Sequence, residues 1–131
     1  MSYQILLVDS DPDFRRQSKQ WLQEAGFGVI EAENENQANE FVRNKKFDLA
    51  VIDVVLENSD GGFTMSYHLK RNYPNMPVVL LSSTVGDFGI DFSIDTVSER
   101  SWIKADILLH KPIRSEQLVY SVNRLLTAVS S

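Results

Sequence analysis

Cysteine is absent from this 131-residue chain, which removes disulfide scaffolds, thiolate metal sites and cysteine nucleophiles at once. Histidine is scarce: His68 and His110 are too few for a zinc cluster and read as structural or solvated side chains. Positive charge is also short, with 13 Lys and Arg against 18 Asp and Glu and a net charge of −5. Nucleic acids and anionic membranes are held by clustered cations, so neither is an expected partner. No apolar run approaches the roughly 20 residues that span a bilayer. The N-terminus lacks the basic-then-apolar pattern of a secretory signal. The expected compartment is the cytoplasm.

What remains is an ordinary globular composition, 43% hydrophobic and 24% charged, enough for one core and too short for two. Four runs are apolar without alternation: Ile5 to Val8, Leu49 to Ile52, Val78 to Leu81 and Ile107 to Leu109. Short runs rich in Val, Ile and Leu suit strands covered on both faces, which means a parallel sheet. Gly28 to Glu31 is a weaker fifth strand. Helical stripes lie between them: Phe14, Trp21, Leu22 and Ala25; then Ala38, Phe41 and Val42; then Leu118, Val122, Leu125, Leu126 and Val129. A less regular helix is expected from Phe63 to Tyr73, closed by Pro74.

Local punctuation agrees. Asp11-Pro12 places a capping side chain before a proline at the first helical position. Gly26 supplies a left-handed helix terminus, Asn34 with Gln37 resembles a capping pair, and Ser115 is a candidate cap for the last helix. The alternation predicts an α/β fold of βαβ units with five parallel strands. Residues 1–131 form one domain, with 1–126 as its core and 127–131 as a tail or the start of a linker. Residues 84–104, carrying Gly86, Asp87, Gly89, Asp91 and Asp95, fit no clean stripe. They read as a long loop with a short or displaced helix, and as a tolerated surface insertion in preference to a mobile or partner-binding element.

Polar residues follow the apolar runs directly: Asp9 after Val8, Asp53 after Ile52, Ser82 after Leu81, and Lys111 after Leu109-His110. Right-handed crossovers bring the carboxyl ends of all strands to one edge, where open α/β folds bind their ligands. Each residue alone has a plain explanation as a strand end, a helix cap or a loop side chain. Together they suit phosphoryl transfer to a carboxylate. Asp53 would be the acceptor, Asp9 and Asp11 would hold Mg²⁺, and Lys111 and Ser82 would meet the phosphoryl oxygens. Ser83, being small, would leave room for the group to enter.

The segments Ile5 to Pro12, Phe47 to Asp53, Pro77 to Ser83 and His110 to Ile113, with Asp60-Gly61-Gly62, resemble those of response-regulator receiver domains, in order and over nearly the whole chain. The resemblance implies a flavodoxin-like (βα)5 doubly wound sandwich with sheet order 2-1-3-4-5. It implies that Asp53 accepts a phosphoryl group from a sensor histidine kinase or phosphotransfer protein with Mg²⁺. The metal would be held by Asp9, Asp11, Asp53 and the Val55 carbonyl; Ser82 would be the switch hydroxyl and Lys111 the partner lysine. The Lys111–Pro112 bond is a candidate cis peptide. Such a domain is not an enzyme beyond self-phosphorylation and autodephosphorylation. It would signal to a downstream protein or an output domain outside this chain, and a homodimer is an open expectation.

Three departures stand out. Ser10 occupies the position whose acid usually touches the metal, so Mg²⁺ affinity should fall unless Asp11 substitutes, and helix capping competes for Asp11. Leu108 stands where an aromatic switch residue is common. Lys111 lies 29 positions after Ser82, several more than usual, which places the insertion where receivers read out their state. Glu57, where a proline is common, reads as a solvated loop residue. The alternative is a degenerate receiver, an interaction module that works without phosphorylation. A rival from another class is a phosphatase of the haloacid-dehalogenase type, with Asp9 of Asp9-Ser10-Asp11 as nucleophile. An FMN-binding flavodoxin is a weaker one, lacking a Ser/Thr-rich phosphate loop after the first strand.

Overall fold

A computed structural model describes residues 3–54, 61–82 and 106–130. In chain order the elements are β1 (Gln4–Val8), α1 (Pro12–Glu24), β2 (Gly28–Ala32), α2 (Glu35–Asn44), β3 (Leu49–Asp53), α3 (Gly61–Asn72), β4 (Val78–Ser82), β5 (Ile107–His110) and α4 (Ser115–Ser130). All four strand pairings are parallel, and the sheet order is β2-β1-β3-β4-β5. This is the expected flavodoxin-like architecture. The weak strand at Gly28 is real and pairs with β1 from Gln4 to Val8.

The apolar runs do not alternate because both faces of the sheet are covered. Leu6, Val8, Ala50, Ile52, Val78, Leu80 and Leu108 pack on one face with Ala38, Met65 and Leu69. Ile5, Leu7, Leu49, Val51, Val79, Leu81 and Leu109 pack on the other with Leu22, Leu118, Val122 and Leu126. Successive strand residues point to opposite faces, so odd-numbered residues of β1, β3 and β5 share the α1/α4 side. Leu108 belongs to the opposite core and is 2% exposed.

The helix boundaries follow their caps. Asp11 accepts from the backbone N–H groups of Asp13 (3.0 Å) and Phe14 (3.4 Å) ahead of Pro12. Asn34 accepts from Gln37 N at 2.8 Å, while the Gln37 side chain takes the Glu33 N–H at 2.9 Å. Gly26 has φ +98°. Its N–H reaches Gln23 O and that of Phe27 reaches Leu22 O, the double closure of a Schellman terminus.

Three expectations need correction. Ala25 is exposed as the α1 C-cap, and Ser18 takes the inward position, its hydroxyl satisfied by Phe14 O at 2.7 Å. The third helix begins at Gly61, before Phe63, and ends at Asn72; Tyr73 still donates to Leu69 O ahead of Pro74. Ser115 is already helical, since Leu118 N donates to Arg114 O. The last helix runs to Ser130, in keeping with a stripe that reached Val129. The expected loop at 84–104 lies outside the described residues, as do Ser83, Val55 and Glu57.

Gly26→Ala should destabilise the fold by about 1–2 kcal/mol, because a Cβ is strained at this positive φ. Urea unfolding should show a lower midpoint with an unchanged slope.

Candidate functional site

Asp53 ends its strand and Asp9 and Lys111 directly follow theirs, all on the same parity, so the sheet aims all three to one side of its carboxyl edge. β1 and β3 are neighbours in the sheet although not in sequence, which places the two acids at the switch point of the topology. Lys111 closes the group. Its Nζ donates to Asp53 Oδ2 at 2.6 Å and to Asp9 Oδ2 at 3.0 Å. Asp9 is 0% and Asp53 4% exposed.

The Lys111 backbone is fixed as well. Its N–H donates to Ser82 O at 2.7 Å, continuing the β4–β5 ladder in which Ser82 faces His110. Pro112 follows through a cis peptide bond. Ser82 is fully buried at the end of β4, on the opposite parity from the acids.

The site has a marked electrostatic asymmetry. Burial raises the Asp9 carboxyl to about 6, and the nearby Asp53 charge pushes the same way; the Asp11 N–H and the Lys111 ammonium only partly offset them. Burial by itself would lower Lys111, but its hydrogen bond to Asp53 and the two carboxylate charges reverse this and hold it above its ordinary value. One firmly protonated amine therefore serves two acids that resist sharing the same dry space.

Asp11 does not join them. It is exposed, and its Oδ1 is taken up by the α1 cap. Its N–H donates to Asp9 Oδ1 at 2.9 Å, so the turn orients Asp9 instead. In this structure Asp11 serves the helix cap through Oδ1 and stands apart from the Asp9–Asp53 pair. Ser10 is exposed. Among the described residues no three Asp, Glu or His side chains come together to hold a metal ion. The donors left are the Asp9 and Asp53 carboxylates, hard oxygens of the kind Mg²⁺ takes while keeping several waters. They fit such an ion.

Two contributors were missed by the sequence reading. Arg15 Nη1 donates to Asp9 O at 2.7 Å and its Nε reaches Glu31 Oε1 at 3.3 Å, tying the β1–α1 turn to β2. Phe14, assigned only to the core, places its ring under Lys111, with Nζ 4.1 Å from the centroid. Both lie in the first turn of α1, directly after the acid-bearing loop, and that position was the available signal. A hollow of about 690 Å³ lies at the other end of the sheet, lined by Val42, Phe47, Tyr73 and Met76 among others. No site residue lines it.

The receiver-domain model of response regulators matches residues 5–123. The chain is similar to the response regulator GtcR of Aneurinibacillus migulanus, 34% identical over 83 residues, 63% of this chain and 34% of that protein. It is also similar to the phosphate regulon transcriptional regulatory protein PhoB of Pseudomonas aeruginosa, 27% identical over 124 residues, 93% of this chain and 51% of that protein. The chain thus spans about half or less of these relatives. A CheY-like receiver domain protein of Methanospirillum hungatei superposes with a TM-score of 0.84 at 21% identity, covering 99% of this chain and 98% of that one; at that identity it shows the fold. These findings lend no support to the phosphatase or flavodoxin readings. Family model and fold coincide over nearly the whole chain, and the protein is therefore a member of the response regulator receiver domain family, the receiving module of two-component signalling.

Proposed function

We propose that Asp53 accepts a phosphoryl group from a histidine kinase or phosphotransfer protein, with Lys111 and Ser82 receiving the transferred oxygens. The observation that carries this is the Lys111 bridge to both acids at the switch point. An Asp53 oxygen attacks phosphorus, the P–N bond of a phosphohistidine breaks, and the imidazole leaves with a proton from solvent. The product is an acyl phosphate on Asp53. Lys111, freed from the acceptor oxygen, turns to the phosphoryl oxygens, and the Ser82 hydroxyl donates to another. A bound Mg²⁺, held by Asp9, Asp53 and the Val55 carbonyl, would supply charge neutralisation for the anionic group. Hydrolysis of the acyl phosphate resets the domain, so its own chemistry is limited to taking up and losing this group. Repositioning Lys111 and Ser82 moves the ends of β4 and β5 together, a local charge event read as a surface change.

The reading places the protein in the cytoplasm with its kinase; no helix of the described residues is long and apolar enough to cross a membrane. The downstream target is a separate protein or an output domain beyond this chain, in keeping with relatives that are longer. A second reading, a degenerate receiver that binds its partner unphosphorylated, draws on one feature. Lys111 already pairs with both acids, while Ser10 offers no carboxylate and Asp11 caps α1.

Incubation with acetyl phosphate and Mg²⁺ should add about 80 Da to the intact mass, and Asp53→Asn should abolish the adduct; its absence from the unmodified protein favours the degenerate receiver. Ser10→Asp should tighten Mg²⁺ binding by roughly tenfold, read by calorimetry, since it adds an oxygen anion to a donor-poor site. Asp9 binds its proton more tightly when folded, with a value of about 6 against 3.8 for the free side chain. Stability from this group therefore rises as pH falls through 6 toward 4, and the burial penalty is fully present above 6. Asp9→Asn should flatten that trend and stabilise the protein at pH 7.5 by roughly 1–2 kcal/mol in denaturant titrations.

A further inference from the structure

Lys111 is held by more than its two ion pairs. Its ammonium lies over the face of the Phe14 ring, 4.1 Å from the centroid, while two of its donors face Asp9 and Asp53. Phe14 is the third residue of α1, and the Asp11 cap accepts its backbone N–H. Its ring meets Trp21 at a centroid separation of 6.4 Å and an interplanar angle of 89°. Both rings pack against the α1/α4 core. The platform under the ammonium is therefore fixed from below and along its own helix.

A lysine side chain is a flexible four-carbon stem, and its charge is strongly hydrated when nothing holds it. The negative face of an aromatic ring attracts an ammonium without consuming one of its three donors. A leucine here would fill the same apolar space and supply no such attraction. Lys111 is 15% exposed at its side chain, dry enough for the ring's field to count.

We propose that Phe14 is a positioning residue for Lys111: its ring face keeps the ammonium against Asp53, so that the amine is in place when a phosphoryl group arrives. This rests on Asp53 being the acceptor. The phosphorylation step is the one given above, and Phe14 takes no part in bond making.

Four forms of the full chain test it: the unmodified protein, Phe14→Leu, Phe14→Tyr, and a chain with pentafluorophenylalanine at position 14, whose ring has nearly the same shape and an inverted face. Exchange of the Lys111 ammonium protons with water, followed by nitrogen-edited NMR, requires no phosphate. The initial rate of phosphorylation by acetyl phosphate at fixed Mg²⁺ is the second readout. The leucine and fluorinated forms should show ammonium exchange faster, and phosphorylation slower, by about threefold to tenfold. The tyrosine form should stay within about twofold of the unmodified chain. Equal exchange in the fluorinated and unmodified forms overturns the proposal, as does an unchanged rate in forms whose ammonium exchanges freely. If Phe14→Leu does not fold, the fluorinated and tyrosine forms decide. Should the unmodified chain take up no phosphate, the acceptor reading fails while ammonium exchange still judges the role of the ring.

Discussion

A single ammonium shared by two buried carboxylates organises the functional edge of this domain. Asp9 and Asp53 are carried to the same place by strands adjacent in the sheet and 44 residues apart in sequence. Two such charges in a dry environment repel, and each is costly to strip of water. Lys111 makes their coexistence tolerable, and the cost of burial still shows in the raised Asp9 carboxyl. The arrangement is satisfied yet strongly anionic at its centre, which suits the capture of a group that brings its own cation.

The strands explain why these three residues meet. Because both faces are covered, each apolar run reads continuously, and the first polar residue after it marks where the sheet reaches the edge. Parity then separates the edge residues by side: Asp9, Asp53 and Lys111 lie toward α1 and α4, and Ser82 toward the other face. That is also why α1 furnishes the residues around the site. The loop after β1 is short, so the first turn of α1 brings Phe14 against Lys111 and Arg15 against the Asp9 carbonyl.

Much of this was legible in the sequence. The unbroken runs at Ile5, Leu49, Val78 and Ile107 announced a doubly covered sheet, and the residues after them announced the site. Gly26, Asn34 and Asp11 marked helix ends through backbone chemistry that does not depend on the rest of the fold. What escaped the sequence was chosen between equally local alternatives. Asp11 could cap or coordinate, and in the structure its Oδ1 meets the α1 N–H groups. Phe14 belonged to an apolar stripe, and nothing in a stripe says that one member's ring face will meet a lysine 97 residues away. Ser18 is polar and lies off the apolar stripe, and it turns inward because a carbonyl four residues back satisfies its hydroxyl.

The departures from the family pattern gather on the same edge. Ser10 is neutral where an acid is common, Asp11 caps the helix, and Leu108 sits in the core where a switching aromatic is common. Each leaves the Lys111 bridge intact. The most direct measurement of that bridge is a mutant cycle on folding stability. Lys111→Met should cost about 3 kcal/mol in the unmodified chain, where it strands two buried carboxylates, and under about 1 kcal/mol when Asp9 and Asp53 are both asparagine. An equal cost in both backgrounds would show that the amine and the acids do not depend on one another, and would contradict the account.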